Sequence, residues 1–319
     1  MSAGRYLVTG GAGFIGSHLV EALLRRGEAV VVLDNLASGK RENIAVAFGA
    51  RAAGAPEPLF IEGDIRDRAV VTRAMQGVTH VLHQAALGSV PRSVEDPHTS
   101  HEVNATGTLN LLIAAREARV ARFVYASSSS VYGDSPTLPK IETMPTAPRS
   151  PYAVSKLTGE QYCSVFAALY GLETVSLRYF NIFGPRQDPE SQYAAVVPKF
   201  MTAAIAGTAP TIHGDGLQSR DFTYIDNAVQ ANLKACEAPA SAAGVACNIA
   251  CGASATLLDI LGHIERIVGR KVRPVHGPAR AGDVKHSLAS IDLATQRIGY
   301  APQIGLEEGL RRAAAAYGA

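Results

Sequence analysis

The chain has 319 residues, 47% of them hydrophobic and 18% charged, a balance that excludes disorder as its main theme and, at about 150 residues per domain, allows roughly two domains. Lys and Arg number 30 against 28 Asp and Glu, a formal +2, so no strong basic field gathers nucleic acid or an anionic membrane. Any anionic ligand must be held by local groups.

In chain order, short β-branched runs at residues 5–9, 29–34, 59–63, 80–84, 122–127 and 173–178 read as strands, and apolar residues recur near a 3.6 period over 15–26, 103–117 and 152–170. That alternation predicts an α/β fold, a doubly wound parallel sheet with helices on both faces. Beyond Arg178 the rhythm breaks. Pro185, Pro189, Pro198 and Pro210 punctuate shorter elements, and Gly214-Asp215-Gly216 reads as a tight hairpin turn. A smaller mixed α/β region, residues 179–319, is expected to cap the sheet formed by residues 1–178, with some segments returning to that sheet.

Cys163, Cys236, Cys247 and Cys251 form no CxxC pair and no common zinc spacing, which favours buried free thiols in a reducing compartment. His80 and His83 lie three apart on a strand and point to opposite faces, while His98 and His101 read as solvent-facing, so no metal site is expected. The N-terminus runs straight into a strand without a basic and then apolar leader, and no apolar run approaches the roughly 20 residues that span a bilayer. A soluble, cytoplasmic protein is expected, without a membrane partner.

The first strand ends in Thr9-Gly10-Gly11-Ala12-Gly13-Phe14-Ile15-Gly16. Gly10 suits the tight turn, Gly13 lets backbone approach a pyrophosphate, Gly16 allows close helix packing, and the helix start offers unpaired N–H groups to phosphate. The second strand ends at Asp34, placed to accept hydrogen bonds from an adenosine ribose and to repel a 2′-phosphate, and no Arg follows it immediately. NAD is favoured over NADP. No Lys follows the glycines as in nucleotide triphosphatases.

TGGAGFIG, with Gly10, Gly13 and Gly16 as GxxGxxG, resembles the extended short-chain dehydrogenase/reductase superfamily with its Rossmann domain. Asp64-Ile65, His83-Gln84-Ala85-Ala86 and Asn104-Ala105-Thr106-Gly107-Thr108 add to the likeness. The resemblance implies an NAD site of Gly10, Gly13, Phe14, Ile15, Gly16, Asp34, Asn35, Ser38, Gly39, Asp64, Ile65, Gln84, Ala85, Ala86 and Asn104, completed by Tyr152, Lys156, Tyr179 and Ile182.

Tyr152 and Lys156 stand four apart behind Pro151, which suits a first helical turn, so both share one helix face. A phenol ionises near 10, and acting as a base near neutrality otherwise costs about 4 kcal/mol; a neighbouring ammonium and an oxidised nicotinamide both favour phenolate. In isolation the spacing describes any exposed helical pair; its company is the glycine turn and the serine-rich strand end 126–130. Four serines can equally satisfy a loop backbone. The resemblance assigns Ser128 as the catalytic serine beside Tyr152 and Lys156, with Ser129 assisting or binding sugar. Nucleotide-sugar dehydratases carry an acidic pair, and decarboxylases a Glu, where this chain has Ser129, Ser130 and Val131. Epimerisation is the chemistry so implied.

Arg178-Tyr179-Phe180-Asn181-Ile182-Phe183-Gly184-Pro185 resembles the RYFNxxGP segment of nucleotide-sugar epimerases, with Asn181 reaching the substrate. Thr211, His213 and Arg220 match a uracil-contacting edge and a phosphate-binding arginine; Arg220 and Arg280 are two guanidinium groups suited to bracket a pyrophosphate. Segments 88–93 and 193–199, together with Arg280, Asp283 and Ser287, resemble the bacterial UDP-N-acetylglucosamine 4-epimerase group. There Ser89 and Val197 border substrate, and Ser287 leaves open a sugar C2 pocket that a Tyr would fill. The resemblance implies a UDP-sugar 4-epimerase and a homodimer bundled through 152–170. The alternatives are a UDP-glucuronate 4-epimerase or net oxidoreductase and, from another class, a non-catalytic NAD-sensing regulator.

Overall fold

The computed structural model describes residues 4–189, 196–278 and 285–318. Strands β1 (Arg5–Thr9), β2 (Ala29–Asp34), β3 (Leu59–Glu62), β4 (His80–His83), β5 (Arg122–Ser128) and β6 (Thr174–Tyr179) alternate with helices α1 (Phe14–Arg25), α2 (Arg41–Gly49), α3 (Arg68–Ala74), α4 (Val90–Glu95), α5 (Pro97–His101), α6 (Gly107–Glu117) and α7 (Pro151–Tyr170). The chain continues through β7 (Ile182–Phe183), α8 (Val196–Ala206), β8 (Thr211–His213), β9 (Ser219–Asp221), β10 (Thr223–Tyr224), α9 (Ile225–Glu237), β11 (Val245–Ile249), β12 (Ser254–Thr256), α10 (Leu257–Val268), β13 (Val275–Gly277), α11 (Asp292–Ile298) and α12 (Leu306–Ala316).

Seven strands form one parallel sheet in the order β11-β6-β5-β4-β1-β2-β3. Successive side chains of a strand point to opposite faces, and the sequence uses both. Val8, Val32, Val124 and Leu177 enter one apolar layer, while Leu7, Val31, Val81, Phe123 and Tyr125 enter the other. Two helical layers therefore cover the sheet, as the unbroken β-branched runs predict. The order reverses between β1 and β4, where open α/β sheets place their ligand crevice at the carboxyl ends of the strands.

Two local expectations are corrected. Gly214 and Gly216 do take positive φ, +84° and +78°, but their flanks form no hairpin: β8 pairs in parallel with β13, and β9 pairs antiparallel with β12. The turn is tight; its strands find partners elsewhere. The helix expected over 103–117 begins as a π-helical turn, Glu102–Thr106, before α6. Within it, the buried Asn104 amide bonds both the N–H and the C=O of Leu87, and donates to Ser155 Oγ at 3.0 Å. Such wide turns recur at functional sites, where they re-aim a side chain.

Candidate active site

The crevice at the sheet's reversal is a cleft of ≈ 670 Å³. At one end sits the glycine turn. Gly10 has φ +69°, and a Cβ there would lie 2.7 Å from Ala85 N, so the left-handed backbone and the close strand both demand glycine. A Cβ on Gly16 would meet Gly10 O at 2.1 Å, which is why α1 can start so near the strand. The α1 N-cap, Gly13, supplies no side-chain cap, and no acid lies in the first turn. The helix start is thus an uncapped positive end facing the cleft, suited to a diphosphate.

Beside it, buried Asp34 accepts hydrogen bonds from Ala12 N at 2.9 Å and Leu36 N at 2.8 Å. Burial pushes its pKa up, and the two backbone donors oppose that shift. Each carboxylate oxygen keeps acceptor capacity for a ribose hydroxyl. Asn35 donates to Asp64 at 3.0 Å, and Arg66 clasps the same carboxylate, holding its pKa down near 2. These features fit a dinucleotide: a cradle that side chains would fill, an open helix start and a buried carboxylate for the ribose.

At the other end, α7 presents Tyr152 and Lys156. Ser150 caps its start by accepting from Ala153 N, Pro151 follows, and Gly171 closes it in the left-handed conformation, so the sequence fixes where this face begins. Tyr152 and Ser128 line the cleft together, and the Ser128 side chain draws the phenol's pKa down. Ser127 instead turns to Glu160 at 2.8 Å, and Ser130 Oγ donates to Ser128 at 2.9 Å. Lys156 Nζ donates to Ala126 O at 2.8 Å, and burial pushes its pKa down to about 7. Burial holds the Tyr152 phenol above its usual value, and the Ser128 side chain offsets part of that.

Between the two ends, Phe14, Ile15, Ser38, Ile65, Gln84, Ala85, Ala86, Ser89, Ser129, Tyr179, Asn181 and Ile182 line the cleft with the residues already placed. Tyr179 Oη, the Gln84 amide and the Asn232 amide close a hydrogen-bonded triangle with edges of 3.2, 3.1 and 2.7 Å. Sequence reading missed Asn232, which reaches the site from α9. It also missed Gln187, a cleft residue whose Oε1 is buried without a hydrogen-bond partner among the described residues. A buried, unpaired acceptor facing a cleft is suited to a ligand donor. Proximity to the RYFNxxGP-like segment was the only signal for it.

Other expected residues stand outside the cleft lining. Gly39 packs against the back of the glycine turn, where a Cβ would lie 2.6 Å from Ala12 Cβ. Val197 is buried with Phe200 and Met201 in an apolar cluster apart from those on the main sheet, and it does not line the cleft. Thr211 is exposed on β8, and His213 lies beside Pro278 O at 3.2 Å. Arg220 donates to Ser219 O and Lys285 O, and Ser287 N donates to Ser219 O. Asp221 orients this region by accepting from Cys251 N and Gly252 N at 2.8 and 3.0 Å. Arg280 and Asp283 lie outside the described residues. His83 is fully buried between Thr9 and Thr108, and burial pushes its pKa down to about 3. Among the described residues, no cluster of metal-ligating side chains occurs and no helix is long and apolar enough to cross a membrane.

Comparison with known proteins agrees with this geometry. The UDP-glucose 4-epimerase of Mycolicibacterium smegmatis is 39% identical over 310 residues, spanning 97% of this chain and 96% of its own. Among solved structures, the UDP-N-acetylglucosamine 4-epimerase of Methanobrevibacter ruminantium, in complex with UDP-N-acetylmuramic acid, is 38% identical with a TM-score of 0.92 over 99% of both chains. The Thermus thermophilus UDP-glucose 4-epimerase complexed with NAD is 40% identical with a TM-score of 0.86 over 98% of both chains. The model of the NAD dependent epimerase/dehydratase family matches residues 6–250. With the glycine turn, Asp34 and the Tyr152–Lys156 face gathered around one cleft, the chain belongs to the NAD dependent epimerase/dehydratase family.

Proposed function

We propose that this protein is a UDP-sugar 4-epimerase that uses NAD and accepts UDP-N-acetylglucosamine. The observation that carries the reading is the gathering of Ser128, Tyr152 and Lys156 with the glycine turn and Asp34 around one cleft. NAD, when bound, supplies a hydride acceptor that later gives the hydride back. The chain's own residues handle protons and position. Tyr152 Oη takes the proton of the sugar 4-hydroxyl through or beside Ser128 and returns it after the sugar has turned. Protonated Lys156 beside the phenol favours its ionised form. Ser129 and Asn181 face the same space, and the second lobe, residues 179–319, holds the uridine diphosphate while the sugar moves. The UDP-sugar 4-epimerases among the relatives support this class.

Ser287 stands outside the cleft lining of the protein alone, and its resemblance to the N-acetylglucosamine-accepting group supports tolerance of an N-acetyl group. Purified protein incubated separately with UDP-N-acetylglucosamine, UDP-glucose and UDP-glucuronate, followed by resolution of the C4 epimers, tests the reading. We expect the N-acetylated pair to interconvert, and Ser287→Tyr to impair it more than any UDP-glucose turnover. No epimer from any of the three overturns the assignment. Equal losses in Ser287→Tyr overturn the sugar preference.

A homodimer through α7 is part of the proposal. Val154, Val165 and Leu169 are 47, 44 and 70% exposed along its outer face, an apolar stripe suited to a matching helix.

A further inference from the structure

Glu160 lies on α7 four residues beyond Lys156 and eight beyond Tyr152, on the same helix face but pointing behind the cleft. Its carboxylate takes two hydrogen bonds from Arg178, at 3.0 Å from Nε and 2.5 Å from the guanidinium tip, and a third from Ser127 Oγ at 2.8 Å. The two charged side chains are 5 and 6% exposed. Arg178 also covers the Tyr132 ring at 4.8 Å and donates to Tyr132 Oη at 2.7 Å, and that hydroxyl donates to Asn248 on β11. In the β5–β6 ladder Ser127 is opposite Arg178, and the next pair is Ser128 opposite Tyr179. Both members of that next pair line the cleft.

A buried ion pair is seldom a net gain in stability over apolar side chains of similar volume. This one ties α7 and β5, which carry Tyr152, Lys156 and Ser128, to β6 beside them. We propose that the Glu160–Arg178 pair, with Ser127, is a positioning device that sets the separation between the Tyr152–Lys156 face of α7 and the Ser128 end of β5. The inference rests on the proposed roles of Tyr152 and Ser128. Misplacing a reacting group by about 1 Å costs on the order of 10²-fold in rate, and bidentate Arg–carboxylate geometry resists such slippage.

The test replaces both charges together, as Glu160→Leu with Arg178→Met, so that no buried charge is orphaned. Ser127→Ala is made in parallel, because it cuts only the link from the carboxylate to the strand end and leaves the ion pair in place. Each variant is assayed as NAD-loaded protein for kcat, KM and thermal midpoint. The ionisation of Tyr152 is followed by tyrosinate absorbance, with Tyr152→Phe as the blank. We expect kcat to fall by about 10²-fold in the double variant and by a smaller factor in Ser127→Ala, with KM little changed. Tyr152 should ionise at higher pH in both. A Ser127→Ala protein with parental kcat and parental Tyr152 ionisation overturns the proposal, as does a folded double variant with both unchanged. Should the parent epimerise no UDP-sugar, the proposed function fails, yet the Tyr152 titration still decides whether the pair positions the phenol.

Discussion

Tyr152 gathers most of the chemical argument in one oxygen. It shares the cleft with Ser128, sits where burial opposes its ionisation, and stands one helical turn from a lysine that burial has brought near neutrality. Tyr152→Phe is expected to lower kcat by about 10²–10⁴-fold, the usual worth of a positioned acid–base group, while NAD still binds. Turnover assays beside a fluorescence titration of the dinucleotide check both halves. Lys156 makes a separate prediction for the ligand-free protein. Its folded pKa of about 7 lies below the reference 10.5, so between those values the unfolded chain binds the extra proton and stability rises with pH. Its contribution reaches about 1.4 kcal/mol per pH unit, and urea midpoints across that range should climb more steeply for the parent than for Lys156→Met. The Tyr–Lys spacing was legible because a helix translates i,i+4 into a shared face. The partners of Ser127 were not, because Glu160 and Arg178 are brought to it by sheet register and helix packing, which no local spacing encodes.

Among elements, the start of α1 shows sequence dictating geometry most directly. Gly10, Gly13 and Gly16 were readable as a phosphate turn, and the distances at Gly10 and Gly16 explain why no side chain fits at those two. In Gly16→Ala the new methyl would press into the Gly10 carbonyl at 2.1 Å, a backbone clash that no rotamer relieves. The variant is expected to lose NAD affinity by tenfold or more, at about 1.4 kcal/mol per tenfold, together with stability of about 1–3 kcal/mol. Calorimetric titration and a melting curve test it. Six of the seven strands of the main sheet were legible to within a residue or so at either end, since parallel strands buried on both faces read as apolar runs; β11, far along the chain, was not. Elements after Arg178 were harder. The glycines at 214 and 216 announce a turn but not the partners of its flanking strands, and the π-helical turn at Asn104 arises from tertiary bonds to Leu87 and Ser155. On the outer face of α7, Leu169→Glu should convert a dimer into monomers in sedimentation velocity; a parent that sediments as a monomer overturns that part of the proposal.

For the whole molecule, the segment after β6 ties the two walls of the cleft together. Arg186 pairs with Glu21 of α1 at 2.5 Å, and Asp188 reaches Lys40 at the start of α2 at 3.2 Å. The wall carrying Tyr179, Asn181 and Gln187 is thereby pinned to the wall carrying the glycine turn. Neither ion pair was foreseen, because long-range charge pairing leaves no periodic trace in a sequence.

The seventh strand carries a consequence for synthesis. β11 completes the sheet beside β6 only after the ribosome has added some 65 residues beyond Tyr179, since the strand begins at Val245. Until then the nascent sheet presents an open β6 border, with Val175 and Leu177 still waiting for Cys247 and Ile249 to join their apolar layer. Unpaired borders of this kind attract other chains. Translational pausing or premature termination between β6 and β11 would therefore leave a sticky intermediate for chaperones to shield.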